Sequence, residues 1–160
     1  MNSNAASRLS VLLFVIYLLV LCKLILFKGS FGDLYQHFSQ HYGGAAIRKT
    51  WAHANLVPTS RIRYYLRGEE PLEPAVQNLA GNILLFVPFG FLLPWIHARL
   101  AAYRKVFVAA ALASLSLELL QLALACGDFD VDDLLLNTLG ALLGYGCFVL
   151  LPTSPDFQKT

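Results

Sequence analysis

The sequence predicts an all-α fold, a polytopic membrane bundle of about four transmembrane helices in one domain. Of the 160 residues, 57% are hydrophobic and only 14% are charged, whereas a soluble domain carries roughly 25% charge. The hydrophobic residues also form runs of roughly 18 or more, which is the length of helix that crosses a bilayer. These two observations predict a protein that lies in a membrane.

Four segments have this character, at about residues 9–27, 79–96, 106–125 and 134–151. The first follows Arg8 and is longer than the roughly 7–15-residue core of a signal peptide, so we predict an uncleaved helix. Lys23 lies near its end, where the apolar stem lets the charge reach the interface. The second contains Pro88 and Pro94, which membrane helices tolerate when neighbouring groups satisfy the freed carbonyls. The second and fourth helices are predicted to begin near residues 78 and 131.

A long polar connection, residues 28–77, joins the first two spans. Within it we predict a short amphipathic helix at 33–42, because apolar residues recur there at helical spacing. The aromatic and arginine content around Trp51 and Tyr64 is typical of a membrane interface. His37 and His41 are four residues apart, but no third metal ligand accompanies them. We therefore predict interfacial histidines and no metal site.

The charges of the connections bear on orientation in the membrane. The short basic connection at 99–105 and the acidic loop at 128–133 favour a cytoplasmic N-terminus, whereas the arginines of the long connection favour the reverse. Long translocated segments follow the positive-inside rule poorly. We therefore give the short loops more weight.

Polar residues collect at one end of the predicted bundle. With four spans, the long connection and the acidic loop lie on the same side in either orientation. The start of the second span, the end of the third and the start of the fourth meet there. We predict that one binding site draws on their polar side chains: Asn78, Asn82, Glu118, Gln121, Asp130, Asp132, Asp133 and Asn137.

Glu118 is the most informative of these residues. An ionisable group within a span costs on the order of 3 kcal/mol on insertion scales, so it marks a functional site by default. Such a site could hold a proton, a metal ion or a cationic head group. The alternative is a protonated glutamate that hydrogen-bonds to a neighbouring helix and holds the bundle together.

The acidic loop has four carboxylates within six residues: Asp128, Asp130, Asp132 and Asp133. Asp130 is suited to cap the fourth helix, and Asp133 would lie in its first turn, where the helix dipole favours anions. Clustered carboxylates repel unless a cation or a proton relieves them. Three arginines of the long connection could pair with them: Arg61, Arg63 and Arg67. The loop lacks the length and glycine position of an EF-hand, so the metal signal is weak.

Other patterns limit the functions to consider. Gly140 and Gly144 form a small-xxx-small face, for which we predict close packing against another helix of this chain rather than dimerisation. The sequence has no serine or cysteine nucleophile motif, no phosphate-binding loop and no zinc-protease pattern, and it names no cofactor. A net charge of +2 without a basic block argues against nucleic acid as a partner.

Four segments together resemble the VanZ-like family of bacterial membrane proteins. They are NLVP at 55–58, GNILLFVPFGFLLP at 81–94, LELLQ at 117–121 and the stretch from FDVDD to GY at 129–145, and their order and spacing fit over about residues 55–150. Many relatives have an arginine shortly before Phe129, where this chain has Cys126-Gly127-Asp128. The resemblance implies one VanZ-like domain over residues 1–160, in the bacterial inner or plasma membrane. The family's namesake is associated with resistance to the glycopeptide antibiotic teicoplanin.

Three hypotheses about function remain open. In the first, the protein binds or modulates a polar lipid or peptidoglycan-precursor head group, with the bilayer and that head group as partners. In the second, it is a structural scaffold whose polar residues only hold the helices together. In the third, it is an intramembrane enzyme that uses Glu118 with Asp132 or Asp133 as acid and base, with or without a divalent cation. We place them in that order, since nothing in the sequence names a substrate.

Overall fold

The computed structural model describes residues 3–26, 35, 38–39 and 42–151. Six α-helices account for most of them: α1 (Ser3–Leu26), α2 (Gly44–Ala52), α3 (Ser60–Leu66), α4 (Leu72–Ile96), α5 (Tyr103–Ala123) and α6 (Val131–Leu150). In these ranges no strand forms. Helices α1, α4, α5 and α6 are long and apolar enough to cross a membrane. The predicted all-α membrane bundle is confirmed.

Helix α4 begins at Leu72, earlier than the predicted start near residue 78. Pro71 is its N-cap and Pro74 lies in its first turn. The amides of a first turn have no partner within the helix, so proline loses no hydrogen bond there. The early start brings Gln77 onto the helix beside Asn78, and both belong to the cavity described below.

Helix α5 is displaced toward the N-terminus relative to its prediction. It begins at Tyr103, so Arg104 and Lys105 form part of its first turn rather than a separate connection. It ends at Ala123 because the backbone turns at Ala125, which has a left-handed φ of 51°. A residue in this conformation commonly ends a helix.

Helices α4 and α6 pack backbone against backbone. A Cβ atom added at Gly140 or Gly144 of α6 would overlap the α4 carbonyl groups of Ile83 or Val87, and one added at Gly90 of α4 would overlap Ala141. Only glycine permits an approach this close. The glycine pattern therefore serves packing within the chain, as predicted.

Helix α1 is attached to this pair through α4. The Tyr17 hydroxyl donates a hydrogen bond to the carbonyl oxygen of Leu85 at 2.7 Å, and the rings of Phe14 and Phe89 are 5.6 Å apart. These contacts hold the middle of α1 beside the second half of α4. The two helices form one wall of the cavity.

The connection between α1 and α4 contains two helices that the sequence analysis did not predict, α2 and α3. After α2, Asn55 pairs with the loop before α6. Its amide donates to the Phe129 carbonyl at 2.8 Å, and its carbonyl accepts from the Val131 amide at 3.0 Å. The predicted amphipathic helix at 33–42 lies largely outside the described residues, as do His37 and His41.

Candidate binding cavity

A cavity of about 530 Å³ lies at the end of the bundle where α1 ends and α4 begins. Helices α1, α4, α5 and α6 form its walls, and Tyr65 of α3 contributes from the connecting segment. Six of the eight predicted binding residues line it: Asn78, Asn82, Glu118, Gln121, Asp133 and Asn137. The volume is within the usual range for a small-molecule site, roughly 300–1,000 Å³. The sequence therefore predicted most of the polar lining.

Glu118 is 1% exposed and links α5 to the start of α6. Its Oε2 accepts a hydrogen bond from the backbone amide of Asp130 at 2.8 Å. Asp130 is the N-cap of α6, and the amides at a helix start need acceptors outside the helix. Glu118 thus has a structural contact and also contributes to the cavity wall.

Asn137, on α6, is 2% exposed. Its Nδ2 donates to the Ser114 hydroxyl oxygen at 2.9 Å, which ties α6 to α5. Its buried Oδ1 accepts no hydrogen bond from the described residues. A buried acceptor left unsatisfied costs about 1–3 kcal/mol. Because Asn137 lines the cavity, a molecule in the cavity can supply the missing donor.

Two further polar contacts shape the cavity wall. The Gln121 Nε2 donates to the carbonyl oxygen of Ile25 at 3.1 Å. This bond satisfies a carbonyl in the last turn of α1 and holds that turn against α5. On α4, the Asn82 Nδ2 donates to the Asn78 Oδ1 at 3.3 Å. The pair shares one face of the helix, as its four-residue spacing predicts.

Asp132 belongs to a different site. It is 1% exposed, and its carboxylate faces the N-terminus of α3. Its Oδ1 accepts from the Thr59 amide, and its Oδ2 accepts from the amides of Arg61 at 2.8 Å and Ile62 at 3.1 Å. A helix N-terminus combines free amides with positive dipole charge, so a carboxylate is stabilised there.

Asp130 completes the attachment of the connecting segment. Its Oδ1 accepts from the Asp132 amide at 2.8 Å and from the Asn55 Nδ2 at 2.7 Å, and its Oδ2 pairs with the Arg61 Nε at 2.9 Å. The predicted cap of α6 is confirmed. So is the prediction that an arginine of the long connection pairs with an aspartate of the loop. We call the set Asn55, Thr59, Arg61, Asp130 and Asp132 the clasp.

The charges of the clasp influence each other's ionisation. Burial, and to a smaller extent the Asp132 carboxylate, raise the pKa of Asp130. The hydrogen bonds from the Asp132 amide and Asn55 and the attraction of Arg61 offset only part of this increase, so the pKa lies above its ordinary value. For Arg61, burial acts to lower the pKa, but the attraction of Asp130 and a hydrogen bond with Tyr65 raise it to a net increase. Arg61 therefore stays charged throughout the physiological range.

The structure thus divides the predicted site into two parts, the cavity and the clasp. Tyr65 was not predicted as a cavity residue, and Lys23 was predicted only as an interfacial charge. Asn55 was not predicted as a site residue either, although it begins the NLVP segment that carries part of the family resemblance. Within the described ranges, no three His, Cys, Asp or Glu side chains are grouped in a way that suits a metal ion.

Comparison with known proteins finds a matching family model and a similar curated protein. The family model described as VanZ/LLP1 matches residues 14–152. Protein VanZ of Enterococcus faecium is 31% identical over 68 residues, which is 42% of this chain and 42% of that protein's length. The matched stretch therefore spans less than half of the relative. No solved structure matches the chain.

Proposed function

The chain belongs to the VanZ/LLP1 family, and from this premise we propose that it binds the polar head group of a lipid or of an envelope precursor. The proposal includes a position in the plasma membrane of a bacterium. It also includes an effect on susceptibility to glycopeptide antibiotics, which the family resemblance implies. The polar cavity of about 530 Å³ is the observation that carries the proposal.

The composition of the cavity wall favours an amphipathic ligand. Amide and carboxylate side chains from α4, α5 and α6 form one part, and Leu24, Ile25 and Leu85 form another. Leu24 is 43% exposed on the outer surface of α1. A lipid head group could therefore occupy the cavity while its acyl chains continue along the lipid-facing side of the bundle.

The contacts also favour binding over the two other hypotheses. Glu118 and Gln121 do hold helices together, as a scaffold requires, but a scaffold does not account for the unsatisfied Oδ1 of Asn137. An acid–base pair of Glu118 and Asp132 is disfavoured, since the Asp132 carboxylate accepts hydrogen bonds from three backbone amides at the start of α3 and does not line the cavity. Of the two aspartates considered as partners of Glu118, Asp133 is the one in the cavity wall.

Filling the cavity tests the proposal. Gly81 lines the cavity, and a Cβ atom added there has no neighbouring atom within 4 Å. We expect Gly81→Phe to fold normally and to retain about tenfold less lipid, a change of ~1.4 kcal/mol. The measurement is native mass spectrometry of protein incubated with a bacterial polar lipid extract in mild detergent.

Leu84→Phe is the matched control, because Leu84 lies on the same helix and is 65% exposed on its outer side. It adds the same aromatic group without entering the cavity and should retain as much lipid as the parent. Equal lipid retention in both variants would contradict the proposal. In a glycopeptide-susceptibility assay on cells that express the variants, Gly81→Phe should change susceptibility relative to the parent and Leu84→Phe should not.

A further inference from the structure

The cavity wall carries one basic and two acidic side chains. Lys23 lies in the last turn of α1, while Glu118 and Asp133 contribute carboxyl groups from α5 and α6. Among the described residues, no carboxylate forms an ion pair with Lys23. The wall therefore presents a lysine ammonium and, separately from it, an acidic surface.

The basic and acidic groups lie at different depths. Lys23 is exposed, whereas Glu118 is 1% and Asn137 2% exposed. The bond from Gln121 to the Ile25 carbonyl holds the last turn of α1 against α5, less than one helical turn from Glu118. A ligand in the cavity can therefore contact Lys23 and the acidic end together.

Asn137 indicates which chemical group a ligand must place at the buried end of the cavity. Its buried Oδ1 accepts no hydrogen bond from the part of the chain that the structure describes, so a ligand that satisfies it must carry an N–H or O–H donor. The carboxyl groups of Glu118 and Asp133 in the same wall favour a donor that is also cationic. A protonated primary amine has three donors and a positive charge, and a trimethylammonium group has no donor.

We infer that the cavity recognises a zwitterionic head group in which a primary ammonium is joined to a phosphate. The ammonium lies at the deep end against Asn137 Oδ1 and the carboxyl groups, and the phosphate lies near Lys23, a point charge suited to it. This inference rests on the proposed function, because it names the ligand class of the same cavity. The same chemistry occurs in ethanolamine phospholipids and in soluble phosphoethanolamine.

The test compares two lipids that differ only in the head-group amine. Phosphatidylethanolamine and phosphatidylcholine with identical acyl chains are added in equal amounts to the parent protein in mild detergent, and native mass spectrometry counts the bound lipids. We expect about a tenfold preference for the ethanolamine lipid, or ~1.4 kcal/mol. Asn137→Leu should remove the preference, and Lys23→Gln should weaken binding of both lipids.

Arg104→Gln is the control for Lys23→Gln, since Arg104 is an exposed cation in the first turn of α5, at the other end of the bundle. It should leave binding of both lipids unchanged. Titration of the lipid-loaded parent with O-phosphoethanolamine or phosphocholine tests the same chemistry even if Asn137→Leu fails to fold. Displacement by O-phosphoethanolamine alone would support the inference and extend it to soluble ligands. Preference for the ethanolamine lipid without displacement would support it for lipids only.

Two results separate the inference from the proposed function. If both lipids bind equally to the parent and Gly81→Phe binds less of both, the inference of an ammonium ligand is wrong, but the cavity is still a head-group site. If Gly81→Phe binds both lipids as well as the parent does, the site itself is elsewhere and both proposals fall.

Discussion

Asp132 shows how a single side chain can attach a distant segment. Sequence reasoning identified the acidic loop as a cluster that needs positive charge, and Arg61 supplies it to Asp130. Asp132 instead accepts hydrogen bonds from the backbone amides of residues about 70 positions earlier in the chain. Backbone amides have no signature in a side-chain pattern, so this contact could not be predicted from the residues alone.

Asp132→Asn tests the strength of this attachment. The amide keeps one oxygen, but its NH₂ group would face backbone amides that also donate. We expect the free energy of unfolding to fall by roughly 2–4 kcal/mol, given the value of charge-assisted hydrogen bonds and the penalty for unsatisfied buried groups. Unfolding in mixed detergent–SDS micelles measures it, and trypsin should cut faster after Arg61.

Asp128→Asn is the matched control, because Asp128 lies in the same loop and is exposed. The substitution should change the free energy of unfolding by no more than about 0.5 kcal/mol. If the two variants unfold alike, the amide contacts of Asp132 do not hold the connecting segment.

At the scale of the helices, the approach of α4 and α6 depends on glycine. Gly144→Ala places a methyl group where the carbonyl of Val87 lies, so the helices must separate. We expect a loss of roughly 1–3 kcal/mol in the free energy of unfolding, as for other overpacked contacts. The same micelle titration measures this change.

Gly146→Ala provides the comparison on the same helix. Its added methyl would be 3.6 Å from the Tyr103 hydroxyl, which is ordinary contact. Alanine also favours a helix over glycine by roughly 1 kcal/mol, so this variant should be as stable as the parent or more so. Equal destabilisation of both variants would mean that the close glycine contact does not limit packing.

The long helices could be predicted and the short ones could not, for a physical reason. Spans α1, α4, α5 and α6 have continuous apolar runs, whose length alone indicates a membrane helix. Helices α2 and α3 have only nine and seven residues and contain no buried residue, so they lack the long apolar run that identifies a span. Helix α3 also starts after Thr59, whose left-handed φ of 64° is rare for a β-branched residue.

At the scale of the whole molecule, four spans require the long connection and the acidic loop to share one side. That constraint was enough to group the polar residues but not to separate the cavity from the clasp. The separation depends on how each helix is rotated about its axis. The rotation follows from the backbone contacts between α4 and α6. The Gly140 and Gly144 pattern predicted a close contact, but it did not indicate which face of α4 would be the partner.

The central claim is that the cavity holds a head group selected from the surrounding lipid. The most direct measurement places a diazirine amino acid at Leu85, which lines the cavity, or at its neighbour Leu84, which faces outward. After illumination in a bacterial membrane, mass spectrometry identifies the lipid adducts. We expect the Leu85 adducts to be enriched in one head-group class and the Leu84 adducts to match the bulk lipid. Adducts of the same composition at both positions would contradict the claim.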